Sequence, residues 1–374
     1  MSKYPTVKLG DLCDVNMGQS PSSKSYNTNK NGLPFFQGNA DFGEISPKIK
    51  IYSSAPIKIA NKGDILFSVR APIGAINIAD RKCCIGRGLS ALTPKNTTTH
   101  YLYFLLKAKK ENIQSLGTGS TFKAINKNSL LSLLIPFHPI EEQNRISKKL
   151  NLIECTIHKR KQQLIKLDML AKSRFIEMFG DNHSELVPLE QLCDFIRNGA
   201  NIRQSKGSGG YPITRIETIS NNVFNLDRLG YAGITTLDKY ENYILKNGDI
   251  LVSHINSEKY LGRAVQYKGQ QKIIHGMNLL CVRPKETTIA TFLEYYLRSK
   301  PTKEYISKIT KKAVNQASFS VSDYKKLLVM NISKNECMAF NSFIEQLDKS
   351  KFRIKKSLEK LEMTYKALLQ EYFG

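Results

Sequence analysis

Two sets of polar side chains in this chain are of the types that read nucleic acid. In the first half they are Gln37 and Asn39, Arg70, Arg87, and the run Gly117–Thr118–Gly119–Ser120–Thr121–Phe122–Lys123. In the second half they are Arg203, Gln204, Lys206, Arg215, His254, Asn256, Ser257, Arg263 and Asn278. Asn315–Gln316–Ala317–Ser318–Phe319 takes the place of the first half's Gly-Ser-Thr-Phe run. A planar amide pairs with adenine and the guanidinium fork with guanine. Gly-flanked Ser120, Thr121 and Lys123 suit phosphate oxygens. For any one of these residues, a solvated loop or a turn cap is the more ordinary role. Taken together the sets point further, because the two differ while the frameworks around them match.

Other chemistries find no motif. No Pro–Pro pair occurs, which removes the Asp/Asn–Pro–Pro–Tyr/Phe site of amino-methyltransferases, and no G-x-x-x-x-G-K-[ST] phosphate loop occurs. Gly86–Arg87–Gly88–Leu89–Ser90–Ala91 fits G-x-G-x-x-A but lacks the preceding strand and following helix that give that fingerprint meaning. Asp323–Tyr324–Lys325 has no Pro–Asp before it, and the six His residues form no His-x-x-x-His pair. Neither a catalytic residue nor a bound cofactor or metal is expected in this chain.

The elements that must position the polar sets occur twice. Leu9–Gly10–Asp11–Leu12–Cys13–Asp14 recurs as Leu189–Glu190–Gln191–Leu192–Cys193–Asp194, Gly63–Asp64–Ile65–Leu66 as Gly248–Asp249–Ile250–Leu251, and Pro94–Lys95 as Pro284–Lys285. The offset grows from 180 (9 to 189) through 185 (63 to 248) and 190 (94 to 284) to 194 (179 to 373). Insertions therefore sit in the globular part of each copy. Ile49–Tyr52, Asp64–Val69, Ala75–Ala79 and Leu89–Leu92 read as strands, and Tyr101–Lys110 and Thr291–Lys300 as amphipathic helices.

Each copy then closes on a heptad stretch ending in Phe–Gly. One seam is Ile146, Ile153, Arg160, Leu167 and Arg174 with Leu150, Ile157, Leu164, Ala171 and Met178. The other is Phe340, Leu347, Ile354, Leu361 and Leu368 with Ile344, Lys351, Leu358, Tyr365 and Tyr372. Charged Arg160, Arg174 and Lys351 in these seams either fix register or lay down their stems and snorkel. Each helix of about 38 residues spans roughly 57 Å at 1.5 Å per residue. Only about six residues, at most ~20 Å of chain, join the first helix to the second module. The second module is thus expected at the far end of that helix, with the two helices antiparallel and an approximate two-fold axis between the copies. The fold class expected is α/β (α+β), with modules at 1–138 and 181–332 and long helices at 139–180 and 333–374.

The formal charge of +24 and pI near 9.6 suit a polyanion partner, although a Lys-rich genomic bias also raises pI. Seven cysteines without a C-x-x-C pair fit neither a disulfide framework nor a zinc site, and Ser2–Lys3–Tyr4–Pro5 opens no signal peptide. The expectation is a reduced cytoplasmic setting with no membrane attachment.

Several segments together resemble the specificity subunit of type I restriction-modification enzymes, over essentially the whole length. They are Gly63–Asp64–Ile65–Leu66–Phe67–Ser68–Val69–Arg70, Gly86–Arg87–Gly88–Leu89, Gly119–Ser120–Thr121–Phe122–Lys123–Ala124–Ile125, Leu134–Ile135–Pro136, Pro139 with Glu142–Gln143, and Ser173–Arg174–Phe175–Ile176–Glu177–Met178–Phe179–Gly180. In the second copy they are Gly248–Asp249–Ile250–Leu251, His275–Gly276–Met277–Asn278–Leu279 and Ser318–Phe319–Ser320.

The resemblance implies two target-recognition domains, each reading one half of a bipartite, gapped site in double-stranded DNA, with the paired helices as spacer. It implies a non-catalytic chain that carries two methyltransferase (modification) subunits, with restriction subunits joining through them. S-adenosylmethionine, ATP and Mg are then expected on the partners. The start of the second helix departs from the pattern, with Ser333–Lys334–Asn335–Glu336–Cys337 where the first has Pro139–Ile140–Glu141–Glu142–Gln143. This puts in doubt that both helix starts meet their partners alike. The alternatives are a stand-alone DNA-binding regulator or architectural protein, a single-chain methyltransferase-nuclease, and a structural coiled coil. Tight sequence-specific binding by the isolated chain would mark the regulator.

Overall fold

The structure, a computed structural model, describes residues 4–118, 123–180, 185–204, 209–313 and 316–374. It divides into two compact units: Met1–Gln163 with Ile354–Gly374, and Leu164–Arg353. Each unit contains one globular module and parts of both long helices.

The repeat seen in sequence is a repeat of topology. The first module has a four-stranded antiparallel sheet in the order Cys13–Met17, Leu89–Pro94, Ile65–Ser68, Ile76–Ile78. The second has Cys193–Asn198, Leu279–Pro284, Ile250–Ser253, Ala264–Gln266 in the same order. Pro94 stands opposite Cys13 and Pro284 opposite Cys193, after which a bulge in the second module shifts the pairing by one residue, so that Phe195 faces Arg283. A two-stranded ribbon, Thr6–Lys8 with Leu134–Pro136, is matched by Leu186–Pro188 with Leu328–Met330. Both copies thus mix helix and strand around antiparallel sheets.

The shared Gly–Asp–Ile–Leu segment is a turn leading into a strand. Gly63 and Gly248 adopt φ of +93° and +98°, a region that L side chains avoid. The Asp64 carboxylate accepts the Asn61 N–H at 2.8 Å and that of Asp249 the Lys246 N–H at 2.7 Å, closing each turn. The strands that follow, Ile65–Ser68 and Ile250–Ser253, are buried at every residue, as expected for strands covered on both faces. Asp249 does more than Asp64. Arg283 donates to both of its oxygens at 2.7 Å, and the Asp249 side chain is only 1% exposed. Thr93 stands at the place of Arg283 in the first copy.

The helices after the Pro–Lys turns run Thr99–Ala108 and Ala290–Leu297, each starting before the sequence-based boundary. In the first, the Thr98 hydroxyl accepts the Tyr101 N–H and fixes the start. The long helices run Ile140–Phe179 and Lys334–Phe373 without interruption. The second begins with a capping box: Ser333 Oγ accepts the Glu336 N–H, and the Glu336 carboxylate accepts the Ser333 N–H at 3.0 Å. The Pro and Gln missing there are replaced by a different way of satisfying the first turn.

Within each unit the two helices run antiparallel. In the first unit Lys149 Nζ meets Tyr372 Oη at 3.3 Å and Lys161 meets Glu362 at 2.8 Å, so rising numbers on one helix face falling numbers on the other. In the second unit Lys351 meets Asp168 at 2.6 Å with its side chain 17% exposed. That seam lysine is therefore an interhelical ion pair. Arg160 and Arg174 instead bond within their own helix, to Gln163 and Glu177.

Each core is completed by a helix end. Phe373 and Leu368 are buried with Tyr101, Leu102, Ile146 and Leu150 in the first unit. Ala171 and Phe179 are buried with Phe292, Leu293, Phe340 and Ile344 in the second. The Phe373 ring lies 5.3 Å from Tyr101, and the Phe179 ring 4.9 Å from Phe292. Burial of one such ring is worth about 2–3 kcal/mol.

Of the first module's further five-stranded sheet, ordered Tyr26–Asn27, Ile51–Ser53, Leu33–Phe36, Cys83–Ile85, Ile59–Ala60, the sequence revealed only the strand expected at Ile49–Tyr52. Its strands are two to four residues long, too short to carry a period. All seven cysteines are unpaired, and among the described residues no helix is long and apolar enough to cross a membrane.

Replacing Asp249 by Ala strands the Arg283 guanidinium and is expected to destabilise the second unit by about 3 kcal/mol. Asp64→Ala, which loses only a turn cap, is expected to cost about 1 kcal/mol. Chemical denaturation of the two variants checks the ranking, and equal losses would contradict it. A second expectation concerns pH. Burial lowers the His254 and His275 imidazoles from 6.5 to about 4. The unfolded chain therefore binds protons that the folded chain does not, and stability that is complete above pH 6.5 declines as pH falls toward 4. Melting curves across that window should drop for the native chain and drop less for His275→Gln.

Candidate nucleic-acid interface

In the first module a ladder of backbone bonds gathers the separated loops onto one end of the four-stranded sheet. Gly88 N–H donates to Gln37 O at 3.2 Å, Val69 N–H to Gly88 O at 3.0 Å, and Ile125 N–H to Val69 O at 3.0 Å. Ala71 N–H donates to Lys123 O at 3.2 Å, and Arg70 forms a bridge with Ala124. The close approach needs a glycine, since a Cβ on Gly88 would lie 2.4 Å from Gln37 O. Gln37, Arg70, Arg87 and Lys123 are thereby brought together, all four exposed. Arg70, Arg87 and Lys123 form no ion pair with any described residue. Three free cations beside a free amide can meet phosphate oxygens and base edges together.

Asn39 opens the short turn Asn39–Asp41 next to this group and is half-buried. Asp41 accepts the Gln37 N–H at 2.8 Å and is paired with Lys50 at 3.2 Å, so the acid near this end is already neutralised. Ser20, which no sequence signal singles out, accepts the Arg87 N–H at 3.2 Å and steadies that loop. Only the fold reveals it, because Ser20 is far from Arg87 in sequence. Ser120, Thr121, Lys206 and Asn315 lie outside the described residues.

The second module has the same skeleton and different side chains. Phe319 N–H donates to His254 O at 3.2 Å, as Ile125 does to Val69. Ile213 pairs in parallel with Ile274, as Phe35 does with Cys84. These registers place Arg215 where the first module has Gln37, Met277 where it has Arg87, Asn278 where it has Gly88, and Ile255 where it has Arg70.

The candidates here fall into two groups. Gln204 donates to Thr214 O at 3.4 Å, and its side chain and that of Arg215 both border Gly230. Arg215 is tethered to Glu217 at 3.6 Å. The exposed Asn278 lies two residues beyond Gly276, whose N–H bonds the Thr214 hydroxyl at 2.9 Å. The other group lies around Ile255–Asn256, which pairs with Ala317–Ser318, itself paired with Lys311–Lys312. Arg263 stacks over the Tyr260 ring at 4.1 Å, Ser257 and Gln316 are exposed, and the Asn256 amide is spent on Ser253 Oγ at 3.2 Å. Arg203 is exposed and joins neither group by any hydrogen bond to a described residue.

His254 does not stand on this surface. It is 4% exposed, at the core position that Val69 fills in the first module, and burial keeps its imidazole neutral near pH 7. Residues missed by sequence are Lys311 and Lys312, an exposed pair on the edge of the small sheet, with Lys312 near Glu258 at 2.9 Å. Their doublet was a legible signal, but its strand was not.

Comparison with known proteins bears on this arrangement. The family model described as "Type I restriction modification DNA specificity domain" matches residues 1–167 and again 182–363. A Methanocaldococcus jannaschii protein described as "Putative type I restriction enzyme MjaX specificity subunit" is 44% identical over 165 residues, 43% of this chain and 39% of that protein. The MjaIX specificity subunit of the same organism is 28% identical over 217 residues, 54% of this chain and 50% of its own length. The matched stretch thus spans half or less of those relatives. The crystal structure of a type I restriction-modification system S subunit from M. genitalium aligns with 100% of this chain and 96% of its own, with a TM-score of 0.65 at 16% identity, which shows a shared fold. With the family model covering both modules, the chain belongs to the type I restriction-modification DNA specificity domain family.

Proposed function

We propose that this chain is the DNA sequence-recognition subunit of a type I restriction-modification complex. Each module reads one half of a bipartite, gapped site in double-stranded DNA, and the long helices set the spacing and dock two methyltransferase subunits. The chain itself performs no chemistry. S-adenosylmethionine, ATP and Mg belong to the methyltransferase subunits and to restriction subunits that join through them, in the cytoplasm.

One observation carries the reading. The two modules keep one sheet order and share the bond that ties Ile125 to Val69 and Phe319 to His254, while the side chains mounted on that frame change, with Gln37 against Arg215 and Arg87 against Met277. A scaffold repeated for stability alone has no reason to vary at those positions. Two readers of different half-sites do.

The test is co-expression with a type I methyltransferase subunit from the same genome, followed by mapping of methylated adenines across the host genome. A single two-part motif that vanishes when this chain is omitted is the expected result. Active methyltransferase without a motif would sink the proposal. At the level of residues, Arg70→Ala and Arg87→Ala are expected to weaken DNA binding. If the contact is to phosphate, each should lower the salt dependence by about one counterion. If it is to guanine, the variant should relax one position of one half-site, at a cost of about 1–3 kcal/mol. Either change should leave the second half-site as it was, and relaxation of both would contradict the assignment of one module to one half.

A further inference from the structure

At the end of the first module's sheet away from these loops lies a cleft of about 220 Å³ lined by Thr98, His100, Asn144, Ser147, Lys148 and Asn151. Strand Leu89–Pro94 leads from the Gly86–Gly88 loop to the turn before Thr98, and six residues at ~3.3 Å place the two about 20 Å apart. One wall is the start of helix Thr99–Ala108. The other is a stripe of the first long helix at spacings of three and four residues, which puts its side chains on one face.

All six lining residues are polar, and none is a carboxylate. Ser147 is 7% exposed, and its hydroxyl has no hydrogen-bond partner among the described residues. A helical serine ordinarily returns its proton to the carbonyl one turn back, and a buried hydroxyl without a partner is costly. Lys148 is exposed and forms no ion pair with any described residue. An ammonium, two amide NH2 groups, an imidazole and an unsatisfied hydroxyl can all donate into this cleft, and no carboxylate there competes for them, which suits a carboxylate or phosphate oxygen.

The second unit does not repeat this cleft. Its corresponding residues are Thr288, Ala290, Met338, Asn341, Ser342 and Glu345. Asn341 reaches across and donates to Thr288 O at 2.7 Å, Ala290 is fully buried, and the cation is replaced by a serine. Glu345 adds a negative charge where the first unit has Asn151.

We propose that the first unit's cleft seats the carboxylate of an acidic side chain on a partner protein, and that the second unit has no equivalent seat. Its distance from the DNA-reading loops favours protein over DNA phosphate. Resting on the reading above, the partner is a methyltransferase subunit, so the two copies are held unequally.

The test uses the full chain co-expressed with its methyltransferase subunit and examined by native mass spectrometry as salt is raised. The native complex should shed its two methyltransferase copies in two separate steps. Lys148→Glu combined with His100→Ala should weaken one copy by about tenfold or more and leave the other unchanged. Ser342→Glu should change neither. Equal weakening of both copies, or of neither, overturns the proposal. A lower salt dependence of DNA binding in the Lys148→Glu chain also overturns it, by assigning the cleft to DNA phosphate.

A native chain that binds no methyltransferase subunit would instead defeat the functional reading. The cleft is then decided on the isolated chain with acetate as probe, followed through the ring resonance of His100. A saturable shift that disappears in Lys148→Ala supports a carboxylate seat, and no shift overturns it.

Discussion

Burial of a helix end in a core assembled from distant sequence is the constraint on which the rest of this molecule depends. The first unit closes around Leu368 and Phe373, which come from the second long helix. The second closes around Ala171 and Phe179, from the first. Without those rings the helices Thr99–Ala108 and Ala290–Leu297 would each present an apolar face to water. The antiparallel pairing in each unit follows from the same need, because a helix that starts in one core has to end in the other. In the second unit the seam lysine Lys351, itself largely buried, pairs across the helices with the exposed Asp168.

Much of this was legible in the sequence, for identifiable reasons. The doubled Gly–Asp–Ile–Leu segment could be recognised because a turn requiring positive φ, a carboxylate cap and a buried strand leave little freedom at four consecutive positions. The helices were legible because seven-residue periodicity accumulates over forty residues. Apart from the strand expected at Ile49–Tyr52, the five-stranded sheet of the first module was not, since strands such as Ile59–Ala60 are held by neighbours rather than by their own pattern. The role of Arg283 was equally hidden, because nothing local to it announces that Asp249 lies beside it.

The candidate interface was legible by residue type and less so by place. Gln37, Arg70, Arg87 and Lys123 are brought together, because glycines and strand ends force their loops into one ladder. His254 has the right chemistry for a surface and the wrong burial, for it occupies a core position that the first module gives to valine. Polarity in a sequence says what a side chain can bond. Only the packing around it says whether that bond is offered to a ligand or spent within the protein, as Asn256 is on Ser253.

The division of the chain has a consequence for its birth on the ribosome. The second unit is one continuous stretch, Leu164–Arg353, whereas the first is interrupted and waits for Ile354–Gly374. Translation therefore finishes the ingredients of the second unit first, although the first unit begins to emerge earlier. Until Phe373 arrives, Tyr101 lacks the ring that packs edge-on against it, and the loop to be closed is among the longest in the chain. The nascent first module is the part most in need of protection by chaperones while its apolar helix face stands open.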